Sequence, residues 1–181
     1  MKTIIEVGAH TGIETMKFLQ DIEAQVYAFE PNKEEFRELQ RLSRQYPRLT
    51  VLPFAVDNGD GQEPLFHAEE GNSSLQTSHN FQVGRSVYKY AMVWTIRLDT
   101  FFEMYSIHEV DYLRIDAPWS ELMCVESIGN RSGVVNRGRI RSYDEENKGE
   151  LLAWLYDHGF SVQLDTVSHD VTHPDIRFWR N

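Results

Sequence analysis

Short apolar runs and amphipathic stretches alternate along the chain. Thr3–Val7, Gln25–Phe29, Leu49–Val56 and Tyr112–Ile115 are apolar or β-branched runs bounded by turn residues, the pattern of buried strands. Between them apolar positions recur three and four residues apart, the period of a helix with one buried face. The first such helix runs from about Gly12 to Asp21. Thr11 and Glu14 form its capping-box pair, and Ile13, Met16 and Leu19 fall on its inner face. The second opens at Asn32, turns Phe36, Leu39 and Leu42 inward and ends near Tyr46, before Pro47. Asp99–Tyr105 reads as a short helix. Another begins at Pro118, carries the stripe Leu122, Val125 and Ile128, and stops at Gly129. Asp144–His158 is a helix with Leu151, Leu152 and Leu155 inward and Gly159 just past its end.

The remaining strands are weaker in pattern. Asp57–Gly61 is a turn into Glu63–His67, Val93–Arg97 is a strand, and Arg139–Tyr143 is the strand expected within the irregular stretch 130–143. Phe160–Leu164 and Ile176–Trp179 form a closing pair joined by the polar loop Asp165–Asp175. Residues 68–92 show no period and read as a long variable loop. Strands alternating with helices define an α/β fold: a mostly parallel, seven-stranded Rossmann-like sheet, helices on both faces, and a closing antiparallel strand. A length of 181 residues fits one domain over 1–181.

Composition narrows the function. With 41% apolar and 12% aromatic residues the chain is a folded globular protein. A net charge of −10 disfavours nucleic acid and anionic membrane surfaces as partners. The lone Cys124 lies in an apolar stretch, reads as a core residue, and fits a reducing compartment. No secretory signal or membrane-spanning run is present, so a cytoplasmic protein is expected. The chain begins almost directly on a strand, and an N-terminal extension is expected to be absent or removed.

The chemistry concentrates at two strand tips. In Glu6-Val7-Gly8-Ala9-His10-Thr11-Gly12 a strand ends in a glycine-bearing turn that opens a helix. In Phe29-Glu30-Pro31-Asn32 the next strand ends in a carboxylate. Glycines let a backbone approach a ligand closely, and a carboxylate at the adjacent tip can accept bonds from two ribose hydroxyls. The spacing is not Gly-x-Gly-x-x-Gly, which argues against a nicotinamide dinucleotide. Glu6 is a charged side chain near the end of a buried strand and needs a partner, for which a ligand ammonium would serve.

Four segments in order resemble the FkbM-family methyltransferases: the Glu6–Gly12 stretch, Ala28-Phe29-Glu30-Pro31-Asn32, Leu98-Asp99, and Leu113-Arg114-Ile115-Asp116 followed by Glu121. The resemblance covers about residues 4–164. It implies S-adenosylmethionine as cofactor and methyl transfer to a hydroxyl of a sugar, glycan or glycosylated metabolite. The implied cofactor residues are Glu6, Gly8, Ala9, His10, Gly12, Glu30, Pro31, Asn32 and Asp116, with Ala55, Val56 and Asp57 bordering the adenine. The chain departs from the family where Ala117-Pro118-Trp119-Ser120 replaces a Val-Glu-Gly-x stretch, on the acceptor side.

Asp116 is the candidate general base; its competing role is a helix cap. Glu121 could assist, and His10, His67 and His79 border the expected pocket. Ser73, Ser74 and His79 in the variable loop, with Trp119, are candidate acceptor contacts. Trp94, Trp154 and Trp179 are expected in the core or pocket wall. A divalent metal on Asp116, Glu121 and Asp144 or Glu145 is conceivable, but the spacing does not specify one. The competing readings are a fold that binds the cofactor without turnover and a methyltransferase acting on a non-carbohydrate small molecule.

Overall fold

The computed structural model describes residues 1–68, 73–75, 87–143, 146–165 and 175–180, without the side chains of 67, 68 and 87–90. In chain order the strands are β1 (Lys2–Val7), β2 (Ala24–Phe29), β3 (Leu49–Leu52), β4 (Phe54–Val56), β5 (Gly61–Ala68), β6 (Ser73–Ser74), β7 (Val87–Ile96), β8 (Tyr112–Ile115), β9 (Arg137–Arg141), β10 (Ser161–Asp165) and β11 (Asp175–Trp179). The helices are α1 (Ile13–Phe18), α2 (Lys33–Ser43), α3 (Leu98–Met104), α4 (Glu121–Glu126) and α5 (Lys148–Asp157).

The main sheet has seven strands in the order β10-β11-β9-β8-β1-β2-β3. Pairing is parallel except where β11 meets β9 and β10. This is the doubly wound α/β arrangement with a closing antiparallel strand. The chain order reverses beside β1, and such switch points hold ligands at the carboxyl ends of the strands. On one face, α1 and α2 pack Leu19 and Leu39 onto Ile4, Val26 and Ala28. On the other, Phe101, Phe102, Cys124, Val125, Leu151 and Leu155 of α3, α4 and α5 meet Ile5, Leu113, Ile115 and Ile140. Cys124 is wholly buried, and burial pushes its thiol pKa well up, as suits a core residue.

Several expected elements differ in ways the backbone explains. The run Leu49–Val56 is two strands, because Pro53 has no N–H to continue the ladder against β2. Beyond it, β4 pairs with β7 in a second sheet of order β4-β7-β5-β6. Within the stretch 68–92 expected to be loop, Ala68, Ser73–Ser74 and residues 87–92 belong to that sheet, and 69–72 and 76–86 lie outside the described residues; strands 61–68 and 87–96 pair antiparallel.

Helix α1 is six residues long and starts after Gly12 at φ 88, without a side-chain cap from Thr11. This phase turns Thr15 inward and leaves Ile13 71% and Met16 39% exposed, contrary to the expected stripe, while Leu19 is buried. Pro118 precedes α4 instead of opening it, because Trp119 at φ 61 interrupts the helical path. The 130–143 stretch holds a 3-10 turn at Gly129–Val134 and then β9, two residues earlier than its pattern implies. Helix α5 starts at Lys148; positions 144 and 145 lie outside the described residues. Trp94 is 57% exposed on β7, not in the core. Among the described residues no helix is long and apolar enough to cross a membrane.

Gly138 sits where β9 passes between β8 and the Phe178 ring. A Cβ there would lie 2.2 Å from the Leu113 carbonyl oxygen and 2.4 Å from the ring. Gly138→Ala is therefore expected to destabilise the fold by about 1–3 kcal/mol. An unchanged urea midpoint would contradict this register.

Candidate active site

The site is built at the carboxyl ends of β1, β2, β4 and β8. Gly8 leaves β1 at φ 77, and a Cβ there would lie 2.1 Å from the Asp116 carbonyl oxygen. Only glycine satisfies both conditions. The turn is fastened to β2 by the N–H groups of Gly8 and Ala9, both donating to the Phe29 carbonyl at 3.0 Å. His10 follows at φ 50, and its N–H donates to Glu30 Oε2 at 2.8 Å. Asn32 N–H donates to Glu30 Oε1 at 2.9 Å. Asn32 also caps α2, accepting from Glu34 N–H. Glu30 is thus oriented by two backbone donors while 94% of it is buried, as its relative exposure of 6% states. Burial raises its pKa to about 7.

A cavity of about 360 Å³ opens at these tips. One end is bounded by Gly8, His10, Glu30, Pro31, Asn32 and Glu35. Phe54, Ala55 and Val56 form an apolar side. The rest of the wall comprises Leu65, Ser73, Ser74 and Leu75 from the second sheet and its turn, with Asp116, Ala117, Pro118, Ser120 and Tyr143. Ser74 Oγ donates to the Pro118 carbonyl at 2.9 Å, tying the second sheet to the turn after β8.

Glu6 is fully buried but is not part of the cavity wall. Its partners are protein groups: the Thr15 hydroxyl donates to Oε2 at 2.6 Å, and Arg114 Nη1 lies 3.5 Å from Oε1. The expected need for a ligand ammonium is therefore met from within the chain. Burial raises the Glu6 pKa to about 7 as well. Arg114 also donates to Asp116 Oδ2 at 2.5 Å, and Arg141 lies 3.6 Å from the same oxygen. Tyr143 donates its hydroxyl to Asp116 Oδ1 at 2.8 Å. Asp116 does not cap α4; the N-cap position is Ser120, without a side-chain bond.

The remaining candidates are placed as follows. Glu121 is buried and accepts from Tyr143 N–H at 2.8 Å, away from the cavity wall. Trp119 is half-buried against Tyr143, with ring centroids 5.6 Å apart, and is not a wall residue. The His10 ring is largely exposed, 3.8 Å from Glu35. Ala9, Gly12 and Asp57 shape the surrounding loops, and Asp99 is held by Arg97 in a bidentate pair. The side chain of His67 and all of His79, Asp144 and Glu145 lie outside what is described. Among the described residues no three His, Cys, Asp or Glu side chains group as a metal site.

Sequence reasoning missed Thr15, Phe54, Leu65, Arg141 and Tyr143. The alternation Arg137-Gly138-Arg139-Ile140-Arg141 was the available signal for a strand with one polar face ending at the site.

The reversal of strand order, the glycine turn, the buried carboxylate at the next tip and the closing antiparallel strand are the arrangement of the Rossmann-like methyltransferase fold. The chain belongs to the FkbM methyltransferase family, whose profile, described as Methyltransferase FkbM domain, matches residues 6–162. No curated protein sequence matches the chain. Among solved structures, precorrin-6y C5,15-methyltransferase from Geobacter metallireducens is similar at TM-score 0.57 and 10% identity, covering 99% of this chain and 80% of that one. Aeropyrum pernix fibrillarin, solved with natively bound S-adenosyl-L-methionine, gives TM-score 0.58 at 14% identity over 98% and 66% of the two chains. M. capricolum TrmK, solved with S-adenosyl-homocysteine, gives 0.54 at 10% identity over 99% and 63%. At these identities the likeness is one of fold.

The two raised carboxyls give a signed prediction. Glu6 and Glu30 have native pKa values of about 7 against an ordinary value of 4.5. The native state therefore holds protons that the unfolded state has released between those values. Stability is greatest below the lower value and falls as pH rises through the upper one. The unfolding midpoint of the ligand-free protein should rise from pH 8 to pH 5, and Glu30→Gln should flatten part of that rise. An identical pH profile in the variant would refute the assignment to Glu30.

Proposed function

We propose that the protein transfers a methyl group from S-adenosylmethionine to a hydroxyl of a sugar or glycosylated small molecule. The observation that carries this reading is the cavity itself. Its wall presents a buried, oriented carboxylate and also mixes hydroxyl groups with apolar side chains.

The residues fit the donor. Each Glu30 oxygen accepts one backbone N–H, leaving acceptor capacity for the two ribose hydroxyls. Gly8 lets the backbone pass against the ligand, with His10, Pro31 and Asn32 closing the same end. Phe54, Ala55 and Val56 supply an apolar slot suited to adenine, with Asp57 just beyond it. Ala9 and Gly12 hold the turn, and Glu6 acts through Thr15 and Arg114 instead of touching the ligand. The cofactor, when bound, supplies an electrophilic methyl group on its sulfonium.

On the acceptor side, Ser73, Ser74, Ser120 and Tyr143 offer hydrogen bonds to a polyol edge, and Leu65, Leu75 and Pro118 offer an apolar face. Asp116 is poorly suited to abstract a proton. Both of its carboxylate oxygens already accept, one from Arg114 and one from Tyr143, and Arg141 lies 3.6 Å away. We assign it to positioning Tyr143 and the cavity floor. Rate enhancement then rests on alignment, which can supply several kcal/mol.

Glu30→Ala should weaken S-adenosylhomocysteine binding roughly 100-fold, the loss of about 3 kcal/mol expected for two hydrogen bonds to a charged group. Unchanged affinity by calorimetry would remove the ribose role. The acceptor is tested by transfer of labelled methyl from S-adenosylmethionine to a panel of sugars and glycosides, with polyphenols and RNA as counter-panels. Label appearing only in a counter-panel would reject the carbohydrate reading.

A further inference from the structure

Among the described residues, no helix packs on one part of the main sheet. On the side where α1 and α2 pack over β1 to β3, β9 and β11 carry arginines that reach solvent, while Arg114 of β8 is buried beside Glu6 and Asp116. Their opposite side carries Leu113, Ile115, Ile140, Ile176 and Phe178 into the core. Arg137, Arg139 and Arg141 alternate along β9 on the open side, spaced over about 13 Å. Arg114 and Arg177 flank Arg139 in register on the neighbouring strands. Arg139, Arg141 and Arg177 have side-chain exposures of 38%, 36% and 56%.

The guanidiniums are only partly spent. Arg139 pairs with Asp175, Arg177 with Asp165, and Arg114 with Asp116 and Glu6. Among the described residues Arg137 makes no ion pair, and Arg141 makes only long contacts, 3.6 Å to Asp116 and 3.5 Å to the Tyr143 hydroxyl. A chain of net charge −10 thus concentrates five arginines on one face. The strip starts at the cavity, because Arg141 touches two wall residues, Asp116 and Tyr143. An arginine offers five donors in a planar fork matched to oxyanions.

We propose that this face binds an anionic group of the methyl acceptor, a phosphate or a carboxylate, held by Arg141 beside the cavity and attracted by Arg137 at the far end of the strip, while the reacting hydroxyl enters the cavity. This deepens the methyl-transfer reading and rests on it. The acceptor is then an acidic or phosphorylated sugar derivative, and its charge is read outside the reaction space. The strip is one strand wide and flanked by carboxylates, which suits a compact oxyanion better than a nucleic-acid backbone.

Calorimetric titration with inorganic pyrophosphate tests the face directly, using the whole chain. Saturable binding is expected with and without saturating S-adenosylhomocysteine. The double variant Arg137→Ala/Arg141→Ala should weaken it at least tenfold at an unaltered unfolding midpoint, and Arg41→Ala on α2 should leave it unchanged. Absence of pyrophosphate binding, indifference to the double variant, or displacement by S-adenosylhomocysteine would each overturn the proposal. Competition by a sugar phosphate or by a uronic acid supports it and tells the two anion sources apart. Competition by RNA with neither sugar active would assign the face to nucleic acid and overturn it. Wild-type protein that binds pyrophosphate but not S-adenosylhomocysteine would instead refute the donor-site reading.

Discussion

The contact between the end of β1 and the end of β8 governs the site. Asp116 N–H donates to the Val7 carbonyl at 2.9 Å, and the Asp116 carbonyl then fills the space a side chain would need at Gly8. With the turn pressed against β8, its next two N–H groups reach only the Phe29 carbonyl. The one after them reaches Glu30. Three strand tips are thereby fixed relative to one another by backbone groups. Side-chain chemistry is added to a frame already set, which is how a preorganised site keeps its geometry without ligand.

Beneath that frame runs a buried ionic chain from Glu6 through Arg114 to Asp116 and Tyr143. Burying such charges is costly, and pairing offsets the cost without turning it into a large net gain. Its value is positional. The fork of Arg114 spans two carboxylates on adjacent strands from one side chain. A lysine ammonium is a point charge and lacks that planar bridge.

The fold was readable where one element announces itself locally. The buried strands, the carboxylate at Glu30 and the glycine of the first turn all follow from runs of a few residues. Phase and partnership were not readable. Nothing within α1 tells that Thr15 rather than Met16 turns inward, because the reason is a carboxylate nine residues earlier. Arg114 and Glu6 are 108 positions apart, and Tyr143 and Asp116 are 27 apart. Such pairs exist only once the strands are ordered. The second sheet escaped notice because its strands are joined through a stretch without period, and because one residue, Pro53, moves the chain between sheets.

That proline has a mechanical consequence. The chain stops pairing with β2 at Leu52 and begins pairing with β7 at Phe54. One peptide unit on either side of Pro53 therefore acts as a joint between two stiff plates. Its pyrrolidine ring restricts rotation about the N–Cα bond, so the joint is narrow in range. Across the opening, the Ser74–Pro118 bond acts as a latch between the same plates. The two plates also share one core, where Val56 and Ile96 pack with Phe29 and Ile115, so that joint and latch act on walls already held together.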